Sequence, residues 1–215
     1  MESNFILVQF STVLILLLTL PLAIFLSLSF AKSKMQSHLY WSIGMWFFFL
    51  GVLLEVLFAF GIYTSFLGDA YMLFVAILVE FLALGSISLI RSLSIRKTYY
   101  AFCVISTVFL IYAIVVSPSI PIINNARVAV TVTSLLVSIA SSVITFPAAA
   151  ILVIVAALSY TRTKNPKMLS IIAGVVVVSI AGGLYIAAVP VFLYYSEFVG
   201  IILLWFGFFS FKKAK

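Results

Sequence analysis

Residues 41–65 read WSIGMWFFFLGVLLEVLFAFGIYTS, and residues 70–90 read AYMLFVAILVEFLALGSISLI. Each stretch holds a single charged side chain, Glu55 in the first and Glu80 in the second, among apolar and weakly polar neighbours. Crossing the hydrocarbon of a bilayer takes about 20 such residues in a helix, at ~1.5 Å of rise each, so both stretches read as membrane spans. Applied outward, the same rule predicts further spans at 5–30, 99–117, 128–159, 169–188 and 190–211, seven in all. The expected fold is therefore all-α: a polytopic integral membrane protein whose residues 1–215 form one seven-helix transmembrane domain.

Composition points the same way. Of 215 residues 66% are hydrophobic and 8% charged, whereas about a quarter of the positions in a soluble domain are charged. A disordered chain and a disulfide scaffold are excluded, the latter because Cys103 is the only cysteine. Nucleic acid is excluded as a partner because the twelve Lys and Arg form short clusters between apolar runs and no stripe.

Those clusters predict the topology. Lys32 and Lys34 follow span one; Arg91, Arg96 and Lys97 follow span three; Arg162, Lys164 and Lys167 follow span five; Lys212, Lys213 and Lys215 follow span seven. Only Arg127 falls on the other side, with Glu2 and Asp69. The positive-inside rule then places the N-terminus outside and the C-terminus in the cytoplasm, with the cell membrane as the expected location. Tyr40, Trp41, Tyr99, Tyr100 and Tyr160 fall at the expected inner interface, and Tyr63, Tyr71 and Tyr185 at the outer one. Span one is expected to remain in the mature protein, since Phe30-Ala31-Lys32 runs directly into a basic loop instead of a small-residue cleavage site.

Spans one to three resemble spans five to seven in layout. Thr19-Leu20-Pro21-Leu22 interrupts span one, and Thr145-Phe146-Pro147-Ala148 interrupts span five. A basic loop follows each, then Trp41-Ser42-Ile43 in one half and Leu169-Ser170-Ile171 in the other. The third members end on Leu82-Ala83-Leu84-Gly85 and Leu204-Trp205-Phe206-Gly207. The pattern suggests a 3+1+3 parallel repeat with halves 1–97 and 128–215 and span 99–117 as linker helix. Pro21 and Pro147 are the expected helix kinks, because proline frees the carbonyl one turn earlier.

In helix count and in these two prolines the layout is similar to the PQ-loop and SWEET sugar-carrier families. It departs from them at Leu22 and Ala148, where their glutamine would stand, and it lacks the further proline of a SWEET in spans two and six. A rhodopsin-like reading fails because no lysine lies between Pro190 and Ser210 to hold retinal. The resemblance does not extend to a family assignment.

The sharp chemical feature is a set of intramembrane carboxylates, Glu55, Glu80 and Glu197. An ionised carboxylate inside a span costs at least ~2.5–3.5 kcal/mol on insertion scales, so such residues are functional candidates. Gly51 and Ala59 flank Glu55, Ala76 and Ala83 flank Glu80, and Gly200 follows Glu197 at helical spacing; these small neighbours predict that all three face the bundle. From the expected span ends, all three should sit roughly 10–15 Å below the outer surface, at one depth. No Lys or Arg within the spans can neutralise them. Proton retention, cation binding or contact with a water-filled cavity would each relieve the charge, and hydrogen bonding as interhelical glue is the plainer role.

Other features carry less. Ser134, Ser138 and Ser142 recur at steps of four in span five, and Ser179 and Gly183 in span six, which predicts close packing of those helices. His38 reads as an interfacial residue, since a metal site wants several ligands, and no metal is expected. Cys103 reads as a buried thiol. Without a nucleophile elbow, phosphate loop or zinc motif, no enzyme activity and no cofactor are expected.

The leading expectation is a carrier or permease for a small solute or ion, coupled to protons or cations through Glu55, Glu80 and Glu197. The alternatives are a non-catalytic subunit or assembly partner of a larger membrane complex, with Trp46-Phe47-Phe48-Phe49 as a protein contact, or a seven-helix sensory module. Expected partners are the lipid bilayer, a small solute or cation and, in the second reading, partner membrane subunits.

Overall fold

The structure is a computed structural model that describes residues 2–90, 92–118, 120–123, 129–132, 134–164, 169–171, 173–174, 176–177 and 190–209. It contains helices α1 (Glu2–Ser33), α2 (Gln36–Ala59), α3 (Ser65–Ile87) and α4 (Leu93–Val116), then strands β1 (Ile120–Ile123) and β2 (Ala129–Val132), then helix α5 (Leu135–Thr163). A C-terminal helix covers Pro190–Phe209, and the described residues between 169 and 177 are helical. Among the described residues, five segments are long and apolar enough to cross a membrane: Gln9–Ser33, Gln36–Ala59, Ser65–Ile87, Leu93–Val116 and Leu135–Arg162. The protein is a helical integral membrane protein whose apolar surfaces suit contact with lipid.

Two spans begin or end where hydropathy alone does not place them. Hydropathy starts span five at 128, but Ala129–Val132 pairs antiparallel with Ile120–Ile123, Ile120 opposite Val132, and α5 starts only at Leu135. The β-branched Val130, Thr131 and Val132 favour the pleated strand, and hydropathy does not distinguish that from helix. Ser134 then caps α5, its Oγ accepting from the Val137 N–H at 3.2 Å.

The turn between α2 and α3 also falls earlier than the expected break near Gly68 and Asp69. Gly61 adopts φ 85°, which glycine tolerates and bulkier residues resist. The Gly61 and Ile62 N–H groups donate back to Phe58 and Leu57 carbonyls at 2.9 and 3.0 Å, a Schellman closure of α2. Thr64 starts α3, its Oγ1 accepting from the Leu67 N–H at 3.2 Å.

The chain divides into two compact units, Met1–Ala148 and Ala149–Lys215. In the first, α2 packs on α3 through small residues. A Cβ at Gly44 would stand 3.1 Å from the Leu78 carbonyl and against Leu82, and one at Gly85 would overlap the Trp41 indole. That indole donates from Nε1 to the Leu82 carbonyl at 3.2 Å. Toward α1, the Ser27 and Ser42 hydroxyls meet at 2.7 Å and Trp46 Nε1 donates to Ser27 at 3.0 Å. Phe47 stacks on Phe81 and leans on Phe74, and Phe48 is buried, so much of the aromatic run 46–49 packs within the chain. Pro21 and Pro147 lie inside α1 and α5, each of which continues through its proline.

In the second unit, a Cβ at Gly174 would stand 3.1 Å from the Gly200 carbonyl and against Leu204, and one at Gly207 would overlap Ile171. Ser170 donates to the Leu203 carbonyl at 2.6 Å. Ser179, Gly183 and Tyr185 lie outside the described residues. In the first unit, Ser138 and Ser142 of the α5 serine stripe line an open groove of about 430 Å³ with Phe146 and Pro147.

Candidate proton or cation site

α3 holds Glu80, and α4 builds its surroundings. The buried face of α4 is narrow: Tyr99, Cys103, Ser106, Leu110 and Ala113, at alternating steps of four and three. Val104, Ile105, Val108 and Tyr112 on its other faces are exposed, as a lipid-facing helix requires. Steps of three and four keep one face of a helix in line, so the polar members Tyr99, Cys103 and Ser106 make a single seam.

Glu80 is buried against that seam. Thr107 donates from Oγ1 to Glu80 Oε2 at 2.7 Å, and Ser106 Oγ stands 3.4 Å from Glu80 Oε1. The Cys103 thiol is a further hydrogen-bonding neighbour of the carboxyl. Ser106 Oγ also reaches the Phe102 carbonyl at 2.8 Å. A serine hydroxyl has one proton and two lone pairs, so Ser106 serves either state of the acid. With Glu80 ionised, both hydroxyls donate to it. With Glu80 protonated on Oε1, Ser106 turns its proton to Phe102 and accepts, while Thr107 keeps donating to Oε2. The acid can gain or lose a proton without any heavy atom leaving its place.

Tyr99 lies one turn before Cys103. It is 7% exposed, and the Cys103 thiol is a hydrogen-bonding neighbour of its hydroxyl. Buried hydroxyls are normally bonded, and through Cys103 the polar contacts of the Glu80 site extend one turn further along α4.

Glu55 has a different shell. Tyr71 donates its hydroxyl to Glu55 Oε1 at 2.6 Å, and both residues are buried. Phe58 packs edge-on against Tyr71 with ring centroids 5.9 Å apart. Tyr71, expected at the outer interface, is instead the internal partner of an acid, and Tyr99 likewise points inward.

The two acids of the first unit do not share a depth. The early turn at Gly61 leaves Glu55 four residues from the end of α2, ~6 Å, and Glu80 fifteen residues from the start of α3, ~22 Å. Tyr71 and Glu80 are nine residues apart on α3, which at ~100° per residue sets them on opposite faces. α3 therefore offers Tyr71 to the Glu55 side and Glu80 to α4. Glu197 belongs to the second unit, where it is buried on the helix face that carries Gly200, Ile201 and Leu204.

Sequence reasoning finds the acids and misses Tyr71, Ser106 and Thr107. The steps 99, 103 and 106 in α4 are the available signal, hidden because span four reads as a mere connector. Comparison with protein-family models, curated proteins and solved structures gives no match for this chain.

Proposed function

We propose that the chain is a membrane carrier for a small solute or ion, coupled to protons or cations through its buried carboxyls, with Glu80 as the principal exchanging group and Glu55 and Glu197 as further candidates. The observation that carries this reading is the Glu80 shell. Two α4 hydroxyls address its two oxygens, and one of them can reverse its role as the acid titrates. Structural glue needs a single protonation state, whereas a carrier needs two of similar cost.

The reading includes seven spans in a 3+1+3 parallel repeat, N-terminus outside and C-terminus in the cytoplasm of a cell-membrane protein. Matching local geometry within the two units supports the repeat. Lys34 and Lys164 both take a positive φ, 55° and 52°. Each donates its N–H to the carbonyl four residues back, at 2.8 Å to Phe30 and 2.7 Å to Tyr160, and each ammonium lies over that residue's ring, 5.7 and 5.8 Å from the centroid. Phe30, Lys34, Trp41 and Gly44 correspond to Tyr160, Lys164, Ile171 and Gly174 at one separation of 130. Leu78, Leu82 and Gly85 correspond to Gly200, Leu204 and Gly207 at one separation of 122. The glycine contacts of one unit map onto those of the other under these two shifts. This register lies two residues from the one suggested by aligning Ser42 with Ser170. Duplicated triple-helix halves are a recurrent carrier design, in which the halves rock about a site.

The test is solute-driven current in proteoliposomes on a solid-supported membrane, using a panel of sugars, amino acids and inorganic cations at several pH values. The wild type is expected to give a pH-dependent current with at least one class, and Glu80→Gln to abolish that dependence while retaining its helix content and thermal midpoint. Unchanged pH-dependent current in folded Glu80→Gln would refute the role given to Glu80.

A further inference from the structure

The helices α2 and α4 meet at a second polar cluster, outside the carboxyl sites. Arg96 donates from Nη2 to Gln36 Oε1 at 2.6 Å, and the Tyr40 and Tyr100 rings lie 6.0 Å apart. Each pair advances by one turn in the same direction on both helices, so α2 and α4 run parallel here with their N-terminal ends side by side. The Tyr40 and Tyr100 hydroxyls share a hydrogen bond, and Tyr40 interacts electrostatically with Arg96.

One donor at this cluster, Arg96 Nε, is buried without a hydrogen-bond partner among the described residues. The paired tyrosine hydroxyls share one proton between them and keep one to donate outward, and a guanidinium needs a counter-charge when it is partly buried. The chain cannot readily supply one, because its five acids are Glu2, Glu55, Asp69, Glu80 and Glu197, none in the first three turns of α2 or anywhere in α4. Neither helix start is closed by a side-chain cap, so first-turn N–H groups of both add positive potential at the same end. Beside the cluster, Leu93 and Ile95 are exposed, and the outer face of α4 continues apolar through Val104, Ile105 and Val108.

We propose that Gln36, Tyr40, Arg96 and Tyr100 bind the phosphodiester of an anionic membrane lipid. The guanidinium supplies charge and a planar fork suited to phosphate. The Tyr100 hydroxyl and the Gln36 amide donate to the remaining oxygens, and the acyl chains follow the apolar flank of α4. A free phosphate would satisfy the same donors and leave that flank unused. The site is independent of the carrier reading and would serve a subunit or sensor equally well.

The test uses the full chain in nanodiscs of phosphatidylcholine alone or with phosphatidylglycerol. Lipid that stays bound on release is counted by native mass spectrometry, and inorganic phosphate is added to the detergent-solubilised protein in a parallel thermal-shift series. Wild type is expected to retain phosphatidylglycerol preferentially. Arg96→Gln should weaken that retention by roughly tenfold or more and Tyr100→Phe by a smaller factor, as losing hydrogen bonds to a charged group predicts. Lys97→Gln, at an exposed cation next in sequence, should leave it unchanged. Wild-type retention in folded Arg96→Gln and Tyr100→Phe would overturn the site. A thermal shift with inorganic phosphate equal to that with phosphatidylglycerol would overturn the lipid assignment.

Discussion

Replacing Gly85 with alanine puts a methyl group where the Trp41 indole already stands, while the same change at Gly51 meets nothing nearer than Val75 Cγ2 at 3.9 Å. Both glycines lie inside helices, so each alanine gains up to about 1 kcal/mol of helix propensity. At Gly51 that gain should survive almost whole. At Gly85 the indole must swing away, which forfeits its hydrogen bond to the Leu82 carbonyl, about 0.5–1.5 kcal/mol, and crowds the α2–α3 seam by about 1–3 kcal/mol. Gly85→Ala should therefore lose about 1–3 kcal/mol net, and the two variants should differ by about 2 kcal/mol or more. Reversible unfolding from mixed micelles by increasing dodecyl sulfate, followed by circular dichroism, measures both without relying on Trp41 itself. Adding Trp41→Phe to Gly85→Ala should recover part of the loss, because the smaller ring makes room. If Gly85→Ala proves as stable as Gly51→Ala, the seam that sets the depths of Glu55 and Glu80 is not packed as described.

Three further outcomes follow from local geometry. Tyr71→Phe removes the hydroxyl that serves Glu55 and should destabilise the protein by about 1–3 kcal/mol, read in the same micelle titration. Ser134→Ala should cost about 0.5–2 kcal/mol through loss of the α5 cap, with faster amide exchange confined to residues 135–138. Lys34→Gly and Lys164→Gly relieve a left-handed backbone that costs a non-glycine residue about 1–2 kcal/mol, and each loses a cation–π contact of about 0.5–1 kcal/mol, so each should stabilise by up to about 1 kcal/mol. Opposite signs at the two lysines would count against equivalent turns in the two units.

Much of the helical layout is legible in the sequence because lipid admits so few backbone solutions. Expected spans 5–30, 41–65, 70–90 and 99–117 fall largely on α1 to α4, and every one of those helices is recognisable from length and polarity alone. The failures have specific causes. The strand at Ala129–Val132 reads as helix because hydropathy counts Val and Thr without regard to branching at Cβ. The turn at Gly61 escapes notice because Phe60 and Ile62 keep the run apolar, and that slip of a few residues makes two acids look level. The acids themselves stand out by charge. Their partners do not, since a tyrosine, a serine, a threonine and a cysteine in a span are individually ordinary, and only the pairing of α3 with α4 gives Ser106 and Thr107 a role.

The narrow inward strip of α4 bears on how that helix finds its bearing. An apolar rod surrounded by acyl chains has no preferred azimuth, since surfaces such as those of Val104 and Val108 are equally content in any direction; hydropathy decides that α4 inserts, and says nothing about its spin. The few polar atoms of Ser106, Thr107 and Cys103 facing Glu80 supply the missing angular reference, so a variant with leucine at all three should insert normally yet lose its compass heading.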